Sequence, residues 1–260
     1  MTALGCCGWL QNTCRPDIAL AHSRIAQHMA APTLSAWEAT KRMCRYLHDT
    51  ASLSLSCPIW ETDTTLCVDE EGNAVDPDSG SPWAFFCDTD FAGNSEEQNQ
   101  RRSQNGSIAT ENGAPVDWAS KVSSIAFAHE KIGESHADIS SGAVEVYGGA
   151  NATFDFLHVS YVAEEAGIEC PLPLILQIDN AAAEAFMKRT AAKSRMKHID
   201  CRQWWVKMLR DKSLVIPVHV ESALNVADLF TKILDRGTFE RLRDMIMYVR
   251  PRCNTTAQHD

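Results

Sequence analysis

Between residues 83 and 122 the chain alternates short apolar runs with turn-forming polar residues, a period-two pattern that predicts strands. The first run, WAFFCDTD, ends on Asp88 and Asp90, two residues apart and so on the same side of a strand. NGSIAT opens on a turn dipeptide and APVDWAS alternates after Pro115, so the three runs predict an antiparallel meander. The period then lengthens. Residues 140–166 are Ala-rich and amphipathic and stop at Gly167, which predicts a long helix. PLPLILQID is the continuous apolar run of a buried central strand and ends on Asp179. NAAAEAFMKR reads as a helix capped by Asn180, HIDCRQWWVKMLRD as a further helix, SLVIPVHV as a strand and NVADLFTKIL as a last helix.

The order β-β-β-α-β-α-α-β-α predicts an α/β fold, a mixed sheet flanked by helices rather than a doubly wound parallel one. Residues 1–57 read as helical, with Leu34, Trp37, Cys44 and Leu47 at helical spacing behind Pro32. A polar segment rich in Gly, Asp and Pro follows. The pattern divides the chain into a helical appendage (1–57), an acidic linker (58–82), the α/β domain (83–235) and a C-terminal tail (236–260).

Composition narrows the function classes. Ten scattered cysteines include no C-x-x-C pair, which argues against a structural zinc or a disulfide framework. No apolar run reaches the roughly 18 residues that cross a bilayer, and the start lacks a secretory layout. The expectation is an intracellular protein without a membrane partner, placed in the nucleus, the cytoplasm or an organelle. The net charge of −10 is unevenly spread. Residues 51–100 hold eleven acidic side chains and no Lys or Arg, whereas 188–202 hold six Lys or Arg against one Asp. The basic stretch is either a local phosphate grip, with Lys193, Arg195, Lys197 and His198 as contacts, or a solvated turn between helices. The tryptophans read as packing residues, Trp118 on a strand and Trp204 and Trp205 beside an amphipathic helix.

Four carboxylates stand at informative places. Asp88 and Asp179 end strands, Asp228 lies in the first turn of the last helix, and Glu145 lies among small residues, GAVEVYGGA, that can pack closely on a sheet. Converging on one spot, they would repel one another unless cations neutralised them. Hard oxygen ligands suit Mg²⁺ or Mn²⁺, and two such ions roughly 4 Å apart support phosphodiester cleavage.

At these residues the chain resembles the ribonuclease H domain of copia-type (Pseudoviridae) retrotransposon polyproteins. CDTDFAGN is similar to the family's S-D-A-D-W-A-G-D, SSGAVEVYGGANA to S-S-T-E-A-E-Y-I-A-L-A-E-A, and IDNAAA to D-N-x-x-A. RRSQNG, PVDWASK, SRMKHID and NVADLFTKIL also have counterparts, in order, across about residues 83–235. Upstream, CRPDIALAHSRIAQHM and RYLHDT resemble the segment that follows the polymerase. The resemblance implies a ribonuclease H-like fold with a five-stranded mixed sheet and a remnant of the reverse transcriptase tail. It implies a metal-dependent endonuclease acting on the RNA strand of RNA–DNA hybrids with two Mg²⁺ or Mn²⁺ ions. By that resemblance Asp88 bridges both ions, Glu145 and Asp179 complete the ion near the leaving group, and Asp228 holds the ion that activates water. His219 and Asp90 are auxiliary candidates, Asp90 as a supporting or capping residue.

Three departures matter. Ala143 replaces the first Glu of the acidic helix motif, leaving Glu145. Residues 125–138, IAFAHEKIGESHAD, are inserted and carry the rivals Glu134 and Asp138. A start inside the polymerase tail leaves no polymerase active site. The alternative reading is therefore a domesticated, catalytically silent ribonuclease H-like module that serves as a binding or structural subunit of a larger assembly.

Overall fold

A computed structural model of the chain describes residues 2–56, 82–90, 103–123, 141–188 and 201–249. Among these residues the five-stranded mixed sheet expected from the sequence is present. The N-terminal helices are α1 (Thr2–Thr13), α2 (Ala19–Ala26) and α3 (Leu34–Asp49), followed by the short strand β1 (Leu53–Leu55). The meander comprises β2 (Trp83–Asp90), β3 (Gln104–Glu111) and β4 (Ala114–Val122). After it come α4 (Ser141–Glu165), β5 (Leu174–Ile178), α5 (Ala181–Lys188), α6 (Cys201–Asp211) and β6 (Val215–His219). A 3-10 helix (Val226–Phe230), α7 (Arg236–Ile246) and β7 (Met247–Val249) complete the described chain.

The sheet runs β4-β3-β2-β5-β6, antiparallel within the meander and parallel from β2 through β5 to β6. Strand β2 lies in its centre and is buried on both faces. Trp83, Phe85 and Cys87 enter a core with α4, α5 and α6, while Ala84 and Phe86 enter a second core with the 3-10 helix and α7. Period two then sends Asp88 to the second face and Thr89 to the first.

Two local expectations change. The meander turns not at Asn105-Gly106, which lies inside β3, but at Asn112-Gly113. Both turn residues have positive φ (49° and 76°), which Asn tolerates and Gly adopts freely. The last helix read from NVADLFTKIL is a five-residue 3-10 helix, and the full α-helix follows at Arg236, capped by Asp235. On α3 the buried stripe is Thr40 and Met43, whereas Leu34, Trp37 and Cys44 are exposed.

The N-terminal helices are joined to the sheet. Gln104 donates to the Ser23 hydroxyl (3.1 Å) and the Trp118 indole donates to the Gln11 carbonyl (2.6 Å). Strand β1 pairs antiparallel with β7, so the segments before and after the sheet close on each other. In CRPDI, Pro16 opens a short 3-10 turn, and Arg15 grips Asp17 through two hydrogen bonds of 2.9 and 2.7 Å. Tyr46 donates to the same carboxylate (2.7 Å), and Arg15 also reaches the Thr50 hydroxyl (2.7 Å). A buried ion pair satisfied this fully ties α3 to the chain that leads into α2.

Candidate metal centre

Asp88 is held at its place by the sequence pattern of β2 and by glycine on the neighbouring strand. Its register partner is Gly106. A Cβ at Gly106 would come within 2.7 Å of Thr231 Cγ2, 2.8 Å of Phe230 Cβ and 2.9 Å of the Ala227 carbonyl. Only glycine lets the 3-10 helix lie this close to the sheet. Asn225 starts that helix by accepting from the Ala227 N–H (3.2 Å) and donating to the Cys87 carbonyl (3.4 Å). Asp228 is thereby carried to the end of β2.

Glu145 arrives from the opposite face. A Cβ at Gly148 would fall 1.9 Å from the Thr89 hydroxyl, so the small-residue stretch of α4 lies against β2 and brings Glu145 over the strand end. Asp179 follows β5, the parallel neighbour of β2, in which Ile178 pairs with Cys87. Asn180 then accepts from the Ala183 N–H (3.0 Å) and caps α5.

Asp88, Glu145 and Asp179 each offer a carboxylate oxygen, and these oxygens lie within 4.8 Å of one another. Opposite ligands of an octahedral Mg²⁺ stand about 4 Å apart, so the donor set fits a small hard cation. Glu145 supplies a further sign of fit: its residue is 7% exposed, and its Oε2 is buried without a hydrogen-bond partner. Burial first, then the neighbouring Asp88 and Asp179, push the Glu145 carboxyl up to about 9. Burial also raises Asp88, opposed by Lys232 and the Thr231 hydroxyl. Asp228 rises to about 6, chiefly through burial and then the charge of Asp88.

Asp228 stands apart from the three-carboxylate group and is tied to it by a lysine. Lys232 Nζ lies 2.8 Å from Asp228 Oδ1, 3.1 Å from Asp88 Oδ1 and 3.7 Å from Asp179 Oδ2. The Thr231 hydroxyl donates to Asp88 Oδ2. Thr231 and Lys232 are the T-K of the NVADLFTKIL stretch singled out in the sequence, where neither carries an assigned role; the lysine follows Asp228 at the i,i+4 spacing of an ion pair.

The remaining candidates are placed as follows. Asp90 points away toward Arg24 (3.7 Å) and is half-buried at the seam with α2. His219 ends β6 opposite Ile178, with a buried Nδ1 that has no hydrogen-bond partner, and it is not part of the carboxylate group. Lys193, Arg195, Lys197 and His198, and the rivals Glu134 and Asp138, lie outside the described residues. Trp205 packs against the helix-face core and Trp118 against the other core. Between β3, β4 and α4 a cavity of about 290 Å³ is lined by Asn105, Ser107, Lys121, Tyr147 and Asn151, among others. Among the described residues no helix is long and apolar enough to cross a membrane.

Comparison with known proteins sets this geometry in a lineage. The chain is 26% identical over 241 residues to the retrovirus-related Pol polyprotein from transposon RE2 of Arabidopsis thaliana, covering 92% of this chain and 14% of that protein. It is 25% identical over 233 residues to the corresponding polyprotein from transposon TNT 1-94 of Nicotiana tabacum, 89% of this chain and 15% of that one. A shorter relative, secreted RxLR effector protein 161 of Plasmopara viticola, is 30% identical over 121 residues, 46% of this chain and 70% of the effector. The chain thus spans about one-seventh of the length of the polyproteins it matches. No family model and no solved structure matches it. Relationship along nine-tenths of its length makes this chain a homologue of the Pol polyproteins of plant transposons, a retrotransposon Pol-derived protein.

Proposed function

We propose that the chain is a ribonuclease H-like, metal-dependent endonuclease that hydrolyses the RNA strand of RNA–DNA hybrids. The observation that carries this reading is the convergence of Asp88, Glu145 and Asp179 from two parallel strands and a helix, with one buried carboxylate oxygen left unpartnered. Three acids gathered this closely in a protein interior are costly without a cation, which makes a structural role a poor account of them. The strand order, with the acids at the ends of β2 and β5, and the homology to Pol polyproteins support the same reading.

Asp88, Glu145 and Asp179 would hold a divalent cation, Mg²⁺ or Mn²⁺, with Asp228 joined to them through Lys232. Such a cation supplies Lewis-acid polarisation of the scissile phosphate and a water of lowered pKa. The chain's own residues do the orienting. Thr231 and Lys232 hold Asp88 in one rotamer and offset its charge, and the Thr89 backbone N–H does the same for Glu145. The cavity between β3, β4 and α4 offers the hydrogen-bonding groups of Asn105, Ser107 and Asn151, with Lys121 and Asp155 also in its lining, suited to sugar hydroxyls of a strand laid across the sheet. The basic stretch at Lys193, Arg195, Lys197 and His198 would contact phosphates.

The test is cleavage of an end-labelled RNA–DNA hybrid in Mg²⁺, with EDTA, duplex DNA and single-stranded RNA as controls, by the native chain and by Asp88→Asn. Magnesium-dependent cutting of the RNA strand that disappears in the folded variant is the expected result. Equal cutting by Asp88→Asn, or none by the native chain, would refute the proposal. The second reading is a catalytically silent ribonuclease H-like module that serves as a binding or structural subunit of a larger assembly. Absence of turnover together with stable co-purification of protein subunits would select it.

A further inference from the structure

We propose that Lys232 is a built-in cation: its ammonium takes one of two cation positions at the carboxylate cluster, and the chain binds a single divalent ion. The inference rests on the metal-centre reading above and deepens it. Four carboxylates lie at the centre, yet only Asp88, Glu145 and Asp179 bring ligating oxygens within 4.8 Å. The fourth, Asp228, is engaged by Lys232 Nζ at 2.8 Å, and the same nitrogen lies 3.1 Å from Asp88 and 3.7 Å from Asp179. One ammonium thus serves carboxylates from three separate elements, β2, the end of β5 and the 3-10 helix.

Its position is built rather than adopted by a free surface side chain. The Lys232 N–H donates to the Asp228 carbonyl (3.0 Å), and the preceding Thr231 is wholly buried and bound to Asp88. The stem of the lysine therefore starts within the site. The ammonium already offsets about one of the negative charges that the carboxylates carry when ionised. A second divalent ion beside Asp228 would have to stand where the ammonium stands and would meet its repulsion. Asp88 can serve both neighbours, because each carboxylate oxygen keeps a second lone pair.

Calorimetric titration of the full chain with Mn²⁺, read together with electron paramagnetic resonance of the bound ion, tests this. The native chain is expected to bind one Mn²⁺ with the spectrum of an isolated ion. Lys232→Met is expected to bind two, with a spin-coupled signal, and Lys232→Arg, which keeps the charge, to bind one. Two ions on the native chain, or one ion on a folded Lys232→Met, would overturn the inference. Should Lys232→Met fail to fold, the native and Lys232→Arg stoichiometries decide alone: two ions on either refutes it. Hybrid cleavage run in parallel separates the two levels. A native chain that cuts and binds two ions defeats the built-in cation and leaves the nuclease reading intact; one that neither cuts nor binds Mn²⁺ defeats both.

Discussion

Replacing Glu145 by glutamine should stabilise the metal-free protein, by an amount that grows with pH. The Glu145 carboxyl is raised from its ordinary 4.5 to about 9 by burial and by Asp88 and Asp179. Between those values the native state keeps a proton that the unfolded chain releases, so the unfolded state binds fewer protons and stability falls as pH rises through the window. Below about 4.5 both states are protonated and the effect vanishes. At pH 7 the unfolded chain has titrated over about 2.5 pH units, each equivalent to about 1.4 kcal/mol, so Glu145 costs the metal-free fold about 3 kcal/mol. Glutamine keeps the volume and an oxygen for the Thr89 N–H, and it sets an amide donor among the carboxylates. Urea unfolding in EDTA at about pH 5, 7 and 8.5 would read the difference, expected to rise steadily along the series. A variant no more stable than the native chain at the highest pH, or a gain that does not change with pH, would refute the proposed electrostatics. Saturating Mn²⁺ should reverse the order, because the native site alone gains the binding free energy of a full carboxylate set.

Two further outcomes test how the site is positioned. Gly106→Ala places a methyl against Thr231, Phe230 and the Ala227 carbonyl, two of them on the 3-10 helix itself; it should cost about 2–3 kcal/mol in denaturant unfolding and abolish hybrid cleavage. Gly5→Ala, which meets nothing within 4 Å and lies inside α1, is the control that should melt at or slightly above the native chain. Asp17→Ala leaves Arg15 buried without its carboxylate and should lower the melting temperature by roughly 10 °C, from a loss of about 3 kcal/mol; an unchanged melt would mean that the N-terminal segment does not share the unfolding of the sheet.

The local elements were legible because each rests on a local pattern. WAFFCDTD alternates between two cores and runs on into Asp88, PLPLILQID is apolar throughout because β5 is central, and Asn180 caps α5 as its side chain allows. The turn of the meander was misplaced because Asn-Gly occurs twice within nine residues, at 105–106 and 112–113, and the dipeptide alone does not tell a hairpin tip from a glycine that admits a neighbouring helix. The stripe on α3 was offset because Trp37 and Leu34 are apolar yet face outward, while Thr40 hides its hydroxyl on the Ala36 carbonyl.

Which acids meet, and on what terms, belongs to the tertiary structure. By itself the sequence determined an α/β order with carboxylates at the ends of strands and within a small-residue helix, since periodicity and turn chemistry act over a few residues. Only the packed fold brings Asp88, Glu145 and Asp179 from positions up to 91 residues apart to within 4.8 Å, sets Asp228 beside them on a 3-10 helix, and closes the first and last segments through β1 and β7. It also decides the place of Lys232, whose ammonium meets Asp228 by local i,i+4 spacing but reaches Asp88 and Asp179 only through the packed fold. The physical reason is that charge–charge energies depend on distances across the sheet, and those distances are set by how Gly106, Gly148 and the two cores let separate elements pack together.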